Sequence, residues 1–180
     1  MKNHIFKAYF NAKSASFNFR YDRALLLVRN PLHQILAFTD WKTRNLHNNT
    51  RLPLKFYQDF LDPFLNKHVE LWQKWHERVL KSFSAENIFV INYEDLRENV
   101  LEELQKCTQF LGFDIQNHIL QNCILQNQTG HHKRTARPFG ETQLILSFLS
   151  KKTRLKSDEI YEKTLQKLLN NSYHSDKCMG

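Results

Sequence analysis

Ala24-Leu25-Leu26-Leu27-Val28-Arg29-Asn30-Pro31 is the stretch on which the fold turns. Its first five residues form a continuous apolar run, as expected for a strand buried on both faces of a parallel sheet, although a turn of buried helix has the same form. The residues that follow favour the strand. Asn30 suits a helix N-cap, Pro31 suits the first helical position, and Leu32, Ile35, Leu36 and Thr39 recur at helical spacing. The segment therefore reads as strand, tight turn, helix.

A second unit of this kind starts at Asn87-Ile88-Phe89-Val90-Ile91-Asn92. Tyr93-Glu94-Asp95-Leu96 follows it, with Asp95 as the expected cap of a helix that carries Val100, Leu104, Cys107, Phe110 and Leu111 and ends at Gly112. Between the two units, Phe60, Phe64, His68, Trp72, Trp75, Val79 and Phe83 fall near one helical face that is most simply core, with Pro63 as a break or a first turn. His4 to Phe10 reads as a weak strand. Beyond Gly112 the pattern gives a short helix over Ile115 to Leu125, a polar loop from Gln126 to Gly140, and helices near Glu141 to Ser150 and Asp158 to Leu169, the last capped by Ser157. Strands separated by helices imply one α/β domain over residues 1–180 with a parallel sheet.

Composition narrows the functional classes. A hydrophobic content of 41 % with 13 % aromatics supports a packed core and argues against disorder, collagen or a disulfide scaffold. No apolar run approaches the roughly 20 residues of a membrane span. Cys107, Cys123 and Cys178 are too far apart for a zinc pattern, and His131-His132 lacks ligand-pair spacing, so no metal is expected. The +8 net charge is uneven: residues 1–60 carry +7, 61–120 carry −4 and 121–180 carry +5. Basic ends that meet would form a cleft for a phosphate-rich ligand, whereas a solvated lysine surface would give the same composition. With no reading motif and no aromatic-basic strand pair, a nucleic-acid role has little support.

In parallel sheets ligands bind beyond the carboxyl ends of strands, where both turns lie. Arg29 stands there beside a helix N-terminus, suited to an anion or, alternatively, to a structural tie to a carboxylate. Tyr93 stands at the second strand end and could stack on a base. Gly130-His131-His132-Lys133-Arg134-Thr135 adds two fixed charges and a hydroxyl in one loop, which could equally be a solvated basic loop. Nucleophile-elbow, H-E-x-x-H, G-x-G-x-x-G and Walker A sequences are absent.

Taken in order, Leu27-Val28-Arg29-Asn30-Pro31, Lys67-His68-Val69 with Trp72 and Trp75, Ile91-Asn92-Tyr93-Glu94-Asp95-Leu96 and Phe110-Leu111-Gly112 resemble the sulfotransferase family, most of all the branch found in WSC-domain sulfotransferases. The resemblance covers roughly residues 20–140. It implies a P-loop-like α/β fold, a parallel sheet flanked by helices, that moves a sulfuryl group from 3′-phosphoadenosine 5′-phosphosulfate (PAPS) to a hydroxyl or amine acceptor, carbohydrates included, without a metal. It also implies that Arg29 binds the 3′-phosphate, that Tyr93 faces the adenosine, and that Lys133 and Arg134 close over the same phosphate from the late loop.

The sequence departs from this family in two places. The serine usual eight residues after the arginine is Ala37, and no P-K-S-G-T-T-like donor loop precedes Arg29, since all four glycines, Gly112, Gly130, Gly140 and Gly180, lie later. The nearest counterpart of the family's K-T-H is Lys7-Ala8-Tyr9, which makes Lys7 the catalytic candidate and leaves tyrosine, a poor base near neutral pH, in the histidine position. The expectation is a partial sulfotransferase domain, lacking the first strand and donor loop, that belongs to a longer chain. The alternative is a noncatalytic nucleotide- or polyanion-binding relative. WSC-type relatives look like Golgi membrane proteins, which implies the Golgi for a longer chain and the cytoplasm for this one if complete.

Overall fold

The computed structural model describes residues 22–46, 53–129 and 139–173. The expected strand at His4 to Phe10, with Lys7, and the loop carrying His131, His132, Lys133 and Arg134 lie outside the described residues. Two parallel strands, β1 (Ala24–Val28) and β2 (Ile88–Asn92), pair in the register Ala24↔Ile88 through Val28↔Asn92. The crossover between them holds α1 (Pro31–Leu46) and the long α2 (Leu54–Ser82). After β2 come α3 (Tyr93–Glu98), α4 (Val100–Leu111), α5 (Asn117–Thr129), α6 (Phe139–Ser147) and α7 (Lys151–Asn170). The chain is α/β, as its strand and helix signals indicate.

The sheet has a helix layer on each face. Leu26 and Val28 of β1, with Ile88 and Val90 of β2, pack on Trp72 and Val79 of α2 and Leu168 of α7. Phe89 and Ile91 point the other way, onto Cys107 and Phe110 of α4. β2 is thus buried on both faces. β1 is not, contrary to the reading of its apolar run: Leu25 is 43 % and Leu27 47 % exposed. These two leucines share the face of their register partners Phe89 and Ile91, and among the described residues α4 covers the β2 side of that face only. A continuous apolar run reports which residues tolerate burial, not which of its two faces is covered.

Helix α2 corrects two further expectations. Pro63 neither breaks nor starts it; the helix runs through this residue, whose ring lies exposed on its outer side. The buried stripe is Tyr57, Leu61, Leu65, Val69, Trp72, His76 and Val79, while Phe60 is exposed and Phe64 stacks on His68 at 3.8 Å between half-buried rings. Aliphatic Leu61, Leu65 and Val69 can enter the core with no polar atom to desolvate, whereas the His68 ring must keep a partner, the Phe64 carbonyl 2.7 Å from Nδ1.

Helix α7 runs parallel to α2 and is pinned along its length. The Asp62 carboxylate accepts from the Ser150 amide at 2.9 Å, Asn66 donates to Thr153 Oγ1 at 2.8 Å, and Lys156 and Lys167 pair with Glu70 and Glu77 at 2.6 and 3.4 Å. Ser150, not Ser157, is the N-cap, its hydroxyl accepting from the Thr153 amide at 3.2 Å. Ser157 is buried within the helix, which starts two turns earlier than its apolar residues suggest because Asp62 anchors Ser150. At the far end the Tyr173 amide donates to the Ile88 carbonyl at 2.8 Å, returning the chain to β2. The α4 helix ends as expected, at Gly112 with a φ of 79°, where the left-handed backbone suits glycine.

His76 lies buried under Trp72 and beside Trp75, with ring centroids 4.1 and 4.9 Å away. Its Nδ1–H donates to the Trp72 carbonyl at 2.8 Å, whereas Nε2 has no partner among the described residues. Burial pushes its pKa down to about 4. A base whose folded pKa lies below its unfolded value stabilises the fold above the unfolded pKa and loses that contribution as pH falls from about 6.5 towards 4, at up to about 1.4 kcal/mol per pH unit. Urea unfolding at pH 7.0, 5.5 and 4.5 should show this loss, and His76→Met should flatten it; an equal acid slope in the variant would remove His76 as its source.

Candidate functional site

The register of the sheet builds the site. Because Val28 is opposite Asn92, the next residues, Arg29 and Tyr93, emerge together beyond the carboxyl ends of the strands. The Arg29 guanidinium lies 4.5 Å above the centre of the Tyr93 ring, a cation–π contact that holds it beside the strand ends. Arg29 makes no ion pair among the described residues, and its Nε is buried without a hydrogen-bond partner. A buried guanidinium N–H without an acceptor is costly, so the arrangement leaves room for an acceptor oxygen at this point. The alternative role for Arg29, a tie to a structural carboxylate, is not formed among the described residues: the Glu94 carboxylate at the same turn bonds to the Asn30 amide instead.

The α1 N-terminus contributes less than its position suggests. The Asn30 side chain accepts from the Leu32 amide at 3.0 Å, its carbonyl accepts from the Gln34 amide at 2.9 Å, and Pro31 has no N–H. The Asn30 amide itself donates to Glu94 Oε1 at 3.3 Å. Self-capping and a carboxylate thus occupy the amides of Asn30, Leu32 and Gln34, which leaves the arginine as the principal group. Trp72 Nε1–H donates to Gln34 Oε1 at 2.9 Å and locks α1 onto α2.

The helix expected to follow Asp95 is split in two: Asn92 caps α3, its Oδ1 accepting from the Glu94 amide at 3.2 Å, and Asn99 stands at the N-cap of α4 with no side-chain cap, so Asp95, whose side chain is exposed, caps neither. The α3 cap sits at the last strand residue because that helix begins directly at Tyr93. Tyr161 of α7 joins the same cluster, its hydroxyl 3.2 Å from both Asn92 Oδ1 and Glu94 Oε2. Burial, and then the Glu94 charge and hydrogen bond, raise the Tyr161 pKa well above the usual phenol value, so the hydroxyl stays a donor. Sequence reasoning did not single out Tyr161; its spacing from Ser157, Thr164 and Leu168 marks a core face, with nothing to show that it reaches the strand ends. Cys107, the buried thiol nearby in sequence, is pushed up to about 11 by burial and is no nucleophile at neutral pH. No group of three or more side chains suited to a metal ion occurs among the described residues.

Comparison with known proteins covers this region. The model of a family described as the sulfotransferase domain matches residues 10–138, which include Arg29 and Tyr93 and leave α6 and α7 outside. A WSCD family member from Aedes aegypti is 27 % identical over 120 residues, 65 % of this chain and 37 % of the relative. The chain therefore spans little more than a third of that relative's length. A crystal structure of mouse sulfotransferase SULT7A1 complexed with PAP aligns with 79 % of this chain and 58 % of its own, at 16 % identity and a TM-score of 0.43.

His33, on the first turn of α1, offers a probe of the local charge. Burial first, and then the Arg29 charge, lower its pKa; Glu94 and Asp158 oppose this, and Arg97 adds to it. Titration of its imidazole resonances should give a value below 6.5 in the native chain and a higher one in Arg29→Ala. An unchanged value would place Arg29 away from α1 in solution.

Proposed function

The chain belongs to the sulfotransferase domain family, and from the Arg29–Tyr93 arrangement we propose that it binds the 3′-phosphoadenosine moiety of PAPS and serves sulfuryl transfer to a hydroxyl or amine acceptor. The buried, unpartnered Nε of Arg29 carries this reading. A guanidinium offers paired N–H groups that match two phosphate oxygens, and the Tyr93 ring supports it from one side. Tyr93 itself would border the adenosine. Lys133 and Arg134 would close over the same phosphate, and Lys7 would steady the leaving phosphate, roles that rest on the family resemblance. PAPS supplies the activated sulfuryl group; the residues of this chain bind and orient it and neutralise charge that grows on the leaving phosphate.

Tyr9, which stands where the family resemblance places a histidine, favours a second reading, in which nucleotide is bound but no sulfuryl group is moved. Both readings require the same binding site, and they part on whether PAPS is converted to its 3′,5′-bisphosphate (PAP) when acceptors are supplied.

Thermal unfolding with PAP, against adenosine 5′-phosphate as the control without a 3′-phosphate, tests the site. A ligand at about 100 times its Kd stabilises by about 2.7 kcal/mol, or roughly 5–10 °C for a domain of this size. The shift should appear with PAP, shrink with the monophosphate and vanish in Arg29→Ala. Equal shifts with the two nucleotides, or a full shift in the variant, would refute the assignment.

A further inference from the structure

Glu94 is the one carboxylate hydrogen-bonded at the Arg29 turn among the described residues, and its position presents a difficulty for an anion site. Its Oε1 accepts from the amide of Asn30, the residue next to Arg29, yet it forms no ion pair with the guanidinium. A carboxylate bonded to the residue next to Arg29, if it turned onto the guanidinium, would satisfy the buried Nε and compete with a ligand phosphate. Two bonds hold it elsewhere: the Asn30 amide on one oxygen at 3.3 Å and the Tyr161 hydroxyl on the other at 3.2 Å. The first is a backbone tie within the turn. The second comes from α7, 67 residues along the chain and outside the part matched by the family.

We propose that Tyr161 is a positioning residue for the anion site, its hydroxyl holding Glu94 between Asn30 and Asn92 and so keeping the Arg29 guanidinium free for a phosphate. Tyr161 touches no ligand in this account; it acts through Glu94. The placement of its ring is secured separately, 6.1 Å from Trp72 and among the sheet-covering residues of α2 and α7, so loss of the hydroxyl alone leaves the packing in place. The Asp62–Ser150, Lys156–Glu70 and Lys167–Glu77 ties fix the helix on either side of Tyr161. The proposal rests on the reading that Arg29 receives a phosphate.

The test is a double-mutant cycle on Tyr161 and Glu94, read in two ways. By calorimetry, Tyr161→Phe should weaken PAP binding about three- to tenfold, the span expected for one net hydrogen bond. Tyr161→Phe combined with Glu94→Gln should recover affinity, because a neutral amide does not compete for the guanidinium. Independently of any ligand, the Arg29 Nε–H resonance should move downfield in Tyr161→Phe as Glu94 turns onto it, and should return in the double variant. An unmoved Nε–H resonance in Tyr161→Phe, or a loss of PAP affinity that Glu94→Gln does not recover, would overturn the role. If the native chain binds no PAP, the phosphate reading fails, and the Nε–H resonance still decides whether Tyr161 holds Glu94 off Arg29.

Discussion

The pairing of Val28 with Asn92 across two parallel strands is the constraint on which the site depends. A slip of one residue would turn Leu26 and Val28 out of the α2–α7 core and move Arg29 away from the Tyr93 ring. The register is held by burial: β2 has helices on both faces, and Trp72, wholly buried, fills the space between sheet, α1 and α7. Removing a side chain of that size from a core costs about 3–5 kcal/mol, a large part of the stability of a single domain. The chemistry at the strand ends thus inherits its geometry from apolar packing on the far side of the sheet.

The two strand–turn–helix units were legible because their signals are local. The apolar runs, the Asn30 cap with Pro31 after it, and Gly112 at a positive φ each act within a few residues. Arg29 and Tyr93 were legible as candidates for the same reason: each directly follows a strand. What was not legible depends on distant partners. The exposure of Leu25 and Leu27 follows from α4 covering β2 alone among the described residues, and the start of α7 at Ser150 follows from Asp62, a contact across 88 residues. The cap at Asn92 in place of Asp95 required the strand end to be known to the residue.

The electrostatics of the site differ from the expected picture in a way that sharpens it. The amides of Asn30, Leu32 and Gln34 at the start of α1 bond to Glu94 and to Asn30 itself, so part of the positive end of the helix is engaged by the protein. A cluster of Asn30, Asn92, Glu94 and Tyr161 thus forms a closed hydrogen-bonded floor, and the Arg29 guanidinium stands on the Tyr93 ring beside it with a buried N–H unmatched. On the proposed reading, selectivity for a phosphate rests on one arginine held in place from below, not on a nest of backbone amides.

The most direct measurement of this account is a crystal structure of the chain with PAP. The account places the 3′-phosphate against the Arg29 guanidinium, with Nε–H donating to a phosphate oxygen and Glu94 still bonded to the Asn30 amide. A nucleotide bound elsewhere, or Glu94 paired with Arg29 while the nucleotide is bound, would contradict it.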